Sequence, residues 1–393
     1  MRGLRASGAV VVLATLLILP ASPAGAEPAC AAPPPSGQPI PDVPWPQTRY
    51  EPRRLAGIAD GAGVTVAVVD SGVDAGHPQL AGTVTRGEDL LNPGGTGQRD
   101  CVGHGTAVAS IIAAAPAAGV AFTGLAPKAR IMPFRVTEHE VVDGQPQGRD
   151  GSPDGLAKAI RDAADHAQVI NLSLAQDADD PRLRAAVEYA LARDVVVVAA
   201  AGNGHRDGTA DPTAYPAGYP GVLGVGAVDE HGIRLAESRV GRYVSVVAPG
   251  AGVVAAAPGH GLARYDGTSF AAAFVSATAA LIRQYHPGLP AAAVVARILA
   301  TTDPAPGDRP GPAYGYGILN PYRAVTEQVD TARPAAVAAV IPRPVPARPA
   351  PADPARTTAL LVALAGLGLA GLIAAVAGLL PRGTARNWRP GHG

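Results

Sequence analysis

Ser269 is the side chain with the most chemistry to offer. It follows Gly267 and Thr268 and opens a run of small and apolar residues, 270–282, free of glycine and proline, which is the pattern of a helix buried on all sides. A serine there lies among unpaired backbone N–H groups at the positive end of the peptide dipole, where a negative oxygen forming beside it would be stabilised. Read singly it is first a helix cap. His104 likewise opens a small-residue helix over 107–115, which Pro116 helps to end, and Asp70 closes the β-branched run 64–69. Singly these are a helix-start residue and a turn former. Together with their flanking glycines they form a set. A hydroxyl is a poor nucleophile until a base takes its proton, and the base must aim a free nitrogen at it. A carboxylate on the other nitrogen fixes the tautomer and stabilises the imidazolium.

The elements that must bring these three together are legible from periodicity. The run 64–69 reads as a strand buried on both faces, the mark of a parallel sheet. Further strands are expected at 130–136, 169–174, 195–200, 222–228 and 244–248. Helices at 153–167 and 181–192 each begin with proline at a tolerated first-turn position. Alternating strands and helices predict an α/β fold with a mostly parallel sheet, whose reacting groups gather at the carboxyl ends of the strands. Asp70, Ser173 and Asn203 fall at or just after such ends. Segment 138–152 is polar, reads as a surface loop and is assigned no chemistry. A last helix is expected at 323–329.

The remainder of the chain bounds where this chemistry happens. Charges balance at 32 against 32 over 393 residues, which points to no nucleic-acid partner. Arg2 and Arg5, an apolar run over 9–19 and Ala24, Gly25 and Ala26 make residues 1–26 a secretory signal peptide. Export puts the only two cysteines, Cys30 and Cys101, in an oxidising space, where they are expected to form a disulfide spanning 71 positions, worth on the order of 4 kcal/mol. Residues 27–54 are proline-rich without apolar periodicity and are expected to form an extended arm, ahead of a catalytic domain over 55–328. A Pro/Ala-rich linker follows at 329–358. Residues 359–380 carry no charged or polar side chain and would reach about 33 Å as a helix, enough to cross a bilayer. With the signal sequence setting orientation, the domain lies outside the cell membrane and the tail, 381–393, inside. Within the span, Gly366, Ala370, Ala374 and Gly378 make a weak small-residue stripe.

At this point the chain resembles the subtilisin-type serine proteases. Asp70, Ser71, Gly72, Val73 and Asp74; His104, Gly105, Thr106, Ala107, Val108 and Ala109; and Gly267, Thr268 and Ser269 match that family's three signatures in its chain order. Ala200, Ala201, Gly202 and Asn203 match a fourth, and the resemblance runs over about 55–327. It implies a three-layer fold with Asp70 orienting, His104 as general base then acid, Ser269 as nucleophile and Asn203 donating its amide to the oxyanion beside the N–H of Ser269. It also implies a peptide bound as an added strand. Ser173, Leu174 and Ala175 would form one edge of that cleft, and Ala200, Ala201 and Gly202 the pocket wall. Ala175 stands where many relatives have glycine, so a small residue is expected before the cut. Ala273 replaces the family's usual proline, for which a small loss of rigidity is expected.

Two features narrow the resemblance: an arm too short to be a folded pro-domain, and a C-terminal span. With Phe270 after the serine, and the runs 313–317 and 320–325, they make the chain similar to the mycosins, membrane-anchored subtilisin-like proteases of type VII secretion. That implies cleavage of secreted protein or peptide substrates, association with secretion-complex components, and an arm that is no removable inhibitor. A structural component stabilising the complex, with proteolysis dispensable, is the competing class; a dead enzyme is disfavoured because all four key residues are present. No zinc-protease helix or phosphate-cradling loop occurs, so no cofactor or metal is expected, and no calcium ligand set can be read off.

Overall fold

The structure, a computed structural model, describes residues 30, 35–138, 140–142, 145–205, 211–329 and 368. In chain order its elements are α1 (Trp45–Tyr50), α2 (Pro52–Ala56), β1 (Thr65–Asp70), β2 (Glu88–Asp89), α3 (His104–Ala113), β3 (Arg130–Arg135), β4 (Glu140–Val142), β5 (Gln145–Gln147), α4 (Pro153–His166), β6 (Val169–Leu172), α5 (Pro181–Ala192), β7 (Val196–Ala200), β8 (Leu223–Val228), β9 (Val246–Pro249), β10 (Val253–Ala256), β11 (Leu262–Tyr265), α6 (Thr268–Tyr285), α7 (Ala291–Ala300) and α8 (Pro321–Thr326). Seven strands form one sheet in the order β2-β3-β1-β6-β7-β8-β9, and every pair in it is parallel.

Burial on both faces explains the β-branched runs. Along β1 and β7, Val66, Val68, Val196 and Val198 join the core under α3 and α6, while Ala67, Val69, Val197 and Ala199 join the core under α4 and α5. The result is helix, sheet and helix in three layers. From β1 the chain proceeds outward to β3 on one side and then to β6 and onward on the other, so the order reverses beside β1. A crevice opens at the carboxyl ends of strands where such a reversal occurs. Helix α6 crosses the sheet almost wholly buried from Thr268 to Ile282. Alanines at 271, 272, 273, 277, 279 and 280 are each 0% exposed and let the helix lie close to the strands. A polar tie to the centre of the sheet is Ser276, whose hydroxyl donates to Asn171 Oδ1 at 2.8 Å on β6.

Three expectations need correction. Residues 27–54 are not simply an extended arm: α1 and α2 form within it, α2 crosses the expected boundary at 54, and Tyr50 is buried against Phe274. Two of the prolines that suggested extension, Pro46 and Pro52, sit instead at first-turn positions, where a missing N–H costs nothing. The segment 138–152 is not a loop but contains the antiparallel hairpin β4–β5, closed below by a bridge between Thr137 and Asp150. The last helix begins two residues earlier than expected, capped by Asn320, which accepts from Arg323 N at 3.0 Å. The signal segment 1–26, the span 359–380 apart from Gly368, and the tail 381–393 lie outside the described residues. Among the described residues no helix is long and apolar enough to cross a membrane.

Candidate active site

Asp70 is the last residue of β1 and His104 the first of α3. Asp70 Oδ1 lies 2.7 Å from His104 Nδ1 and accepts the N–H of Ser71 at 2.7 Å. A carboxylate only accepts, so Nδ1 carries the proton and Nε2 is left bare. The helix start can come this close only because residue 105 has no side chain: a Cβ on Gly105 would sit 2.1 Å from the carbonyl oxygen of Gly72. Burial draws the pKa of His104 down, but the charge and hydrogen bond of Asp70, with a smaller push from the charge of Asp100, outweigh it and leave it raised.

Ser269 occupies the first turn of α6, 6% exposed, and its hydroxyl donates to the carbonyl of Ser173 at 3.3 Å. The next residue, Phe270, packs on the imidazole with ring centroids 5.2 Å apart, and Tyr265 packs on Phe270 at 5.0 Å. The start of α6 thus lies against the start of α3 through Phe270 and His104. In this geometry the Ser269 hydroxyl bonds to Ser173 and not to His104.

Asn203 is held by its oxygen. Oδ1 accepts from Thr268 N at 2.9 Å and from Thr268 Oγ1 at 3.0 Å, while Thr268 Oγ1 accepts from Gly202 N at 3.1 Å. Because the Thr268 N–H can only donate, the atom facing it must be the oxygen, and Nδ2 is turned the other way. Nδ2 lies 3.1 Å from where a Cβ on Gly267 would be, at the threshold of the helix that carries Ser269. Gly267 also has φ +142°, a conformation that L side chains rarely adopt.

A cleft of about 490 Å³ opens beside Asp70 and His104, which line it with Ser173, Leu174 and Ala175; Ser269 and Asn203 do not line it. It is also lined by Val136 and Thr137, which follow β3, and by Asp150, Gly151 and Ser152, from the segment 138–152 that had been assigned no chemistry. Nothing in the residue types there announces a cleft wall; the wall exists because β3 lies next to β1. Ala200, Ala201 and Gly202, expected on the pocket wall, are buried and do not line this cleft. Gly202 instead packs under Arg239, whose N–H donates to its carbonyl at 3.0 Å, and under the methyl of Ala175. Arg239, which pairs with Asp177, carried no signal in the sequence. Cys30 and Cys101 are joined as a disulfide with Cα atoms 5.4 Å apart, tying the arm to the loop that precedes His104. Among the described residues no group of three or more His, Cys, Asp or Glu side chains could hold a metal ion.

An aspartate at the carboxyl end of β1 bonded to a histidine at a helix start, with the residue after Ser269 packed on that histidine, points to a class, and comparison with known proteins agrees with it. The profile of the Subtilase family, Peptidase S8, matches residues 61–317, and the chain belongs to that family of serine peptidases. Within it the chain is similar to mycosin-1 of Mycobacterium tuberculosis, 35% identical over 375 residues, covering 84% of this chain and 83% of that protein. It is also similar to thermitase of Thermoactinomyces vulgaris, 35% identical over 283 residues, covering 70% of this chain and 95% of that protein. Among solved structures it matches MycP1, a serine protease described as an essential component of the type VII (ESX-1) secretion system, with TM-score 0.64 and 35% identity over 76% of this chain and 92% of that one.

Proposed function

We propose that this chain is an exported, membrane-anchored serine endopeptidase that cleaves secreted proteins and works with a type VII secretion complex. Ser269 Oγ attacks the scissile carbonyl as its proton passes to His104 Nε2, and Asp70 holds the other nitrogen and stabilises the imidazolium. The oxyanion takes hydrogen bonds from Asn203 Nδ2 and the first-turn N–H of Ser269. The imidazolium then protonates the departing amine, and water, activated by the same histidine, releases the acyl group. Ser173, Leu174 and Ala175 offer the edge along which an extended peptide pairs.

The observation that carries this reading is the 2.7 Å contact between His104 Nδ1 and Asp70 Oδ1, made across 34 positions, with Phe270, the residue after Ser269, packed on the same imidazole. The secretion role is supported by the likeness to mycosin-1 and to MycP1, and the anchoring by the apolar segment 359–380. The test is mass spectrometry of secreted proteins from cells carrying the wild type, Ser269→Ala or a deletion. Processed fragments lost in Ser269→Ala support the reading. Secretion intact in Ser269→Ala but absent in the deletion would favour a scaffolding role, in keeping with the description of MycP1 as a component of its system.

A further inference from the structure

We propose that Asp100 is a second carboxylate of this active site, a positioning residue that acts through Ser71 to lock the end of β1 against the start of α3 and holds His104 in register with Asp70. This rests on reading His104 as the general base. Asp100 is 5% exposed and lies four positions before His104. Its Oδ1 takes the hydroxyl of Ser71 at 2.9 Å and the N–H groups of Val102 at 3.0 Å and Gly103 at 2.7 Å. Its Oδ2 takes the N–H of Thr106 at 2.8 Å and the Thr106 hydroxyl at 2.7 Å. Each hydroxyl also accepts an N–H from elsewhere, Ser71 from Gly105 at 2.9 Å and Thr106 from Asp74 at 2.9 Å.

The direction of these bonds decides the charge state. Burial pushes the carboxyl of Asp100 up, toward the neutral acid. All three N–H partners can only donate, and the two hydroxyls, having accepted an N–H each, have their own protons free for Asp100. A set of five donors fits an ion, and a protonated carboxyl would waste a proton against them.

The network's span gives it a role. Ser71 follows Asp70 directly, and Gly105 follows His104 directly, so Asp100, Ser71 and Gly105 form a bridge parallel to the contact between Asp70 and His104. Helix α3 has no side chain from its own N-cap residue, Gly103, to receive its first N–H groups; Asp100 receives those of Gly103 and Thr106, and Ser71 that of Gly105. Around the imidazole lie Asp70 from β1, Asp100 from the preceding loop and Phe270 from α6, with Tyr265 of β11, a half-buried phenol pushed up to about 12 and so neutral, packed on Phe270. Asp100 is the one anion among them besides Asp70, and it favours the imidazolium that forms when the serine proton moves.

The test pairs D100N with S71A in the full-length chain, read by peptide hydrolysis across pH and, in a Ser269→Ala background, by NMR titration of the His104 imidazole. D100N removes the charge and is expected to move the His104 midpoint down by about half a pH unit or more, with kcat falling about tenfold or more and KM within about twofold. S71A leaves the carboxylate its other four donors; it should lower kcat in the same way without moving the midpoint, and S71T should restore it. D100N that lowers activity with the midpoint unmoved would make Asp100 structural only, and S71A kinetically equal to the wild type would remove the bridge. Should D100N not fold, S71A and S71T decide. Loss of hydrolysis in Ser269→Ala alongside either null result would leave the proposed function standing while overturning this inference.

Discussion

The imidazole of His104 sets the pH dependence of the site. It must be neutral to take a proton, and its pKa is raised above the ordinary 6.5 because the charge and hydrogen bond of Asp70 outweigh the effect of burial. We therefore expect kcat/KM to climb with pH through a midpoint above 6.5, measurable on any cleaved peptide. The same sign applies to folding: a histidine whose folded pKa is raised adds stability that is complete below the unfolded value and lost as pH rises through the folded one. Ala175 bears on specificity. Its methyl lies 3.2 Å from where a Cβ on Gly202 would stand, so little room is left between the two segments. Ala175→Gly is expected to raise cleavage after leucine or phenylalanine relative to alanine in a peptide library; an unchanged profile would locate the restriction elsewhere.

At the scale of elements, α6 is the part on which the site depends most. Its small-residue run was plain in the sequence, and so were β1 and α5, because a strand buried on both faces and a helix opened by proline after an aspartate cap each leave a local mark. Asp70, His104, Asn203 and Ser269 stand out in the sequence for a similar reason: each lies within two positions of a glycine, at or near the end of such an element. The hairpin β4–β5 was not legible, since its polar residues carry no alternation. Nor were α1 and α2, six and five residues long, whose amphipathic period is too short to register. Most of what escaped was non-local. Arg239 under Gly202, and the residues after β3 and from 150–152 that line the cleft with Asp70, are neighbours only through sheet order. Gly267→Ala tests the element directly: at φ +142° with Asn203 Nδ2 3.1 Å from the new methyl, it should cost about 1–2 kcal/mol of stability and lower kcat more than it raises KM. Normal kinetics would show the close approach to be dispensable.

For the whole molecule, the arm and the domain fold as one body. Gly37 donates to His260 O at 2.8 Å, Gln38 pairs with Leu262 in both directions at 2.9 and 3.0 Å, and the side chain of Trp45 donates to Ala251 O at 2.9 Å. The disulfide between Cys30 and Cys101 adds a covalent tie to the loop beside His104. Cys30→Ser is expected to lower unfolding stability by up to about 4 kcal/mol, read as a fall in denaturant midpoint, and to leave the arm attached through its hydrogen bonds. An unshifted midpoint would mean that the closed loop does not constrain the unfolded chain.

The most direct measurement is site mapping of a serine-directed fluorophosphonate on the purified protein by peptide mass spectrometry. The adduct is expected on Ser269, abolished in Ser269→Ala and strongly slowed in His104→Ala. An adduct on another serine, or peptide hydrolysis that persists at the wild-type rate in Ser269→Ala, would contradict it.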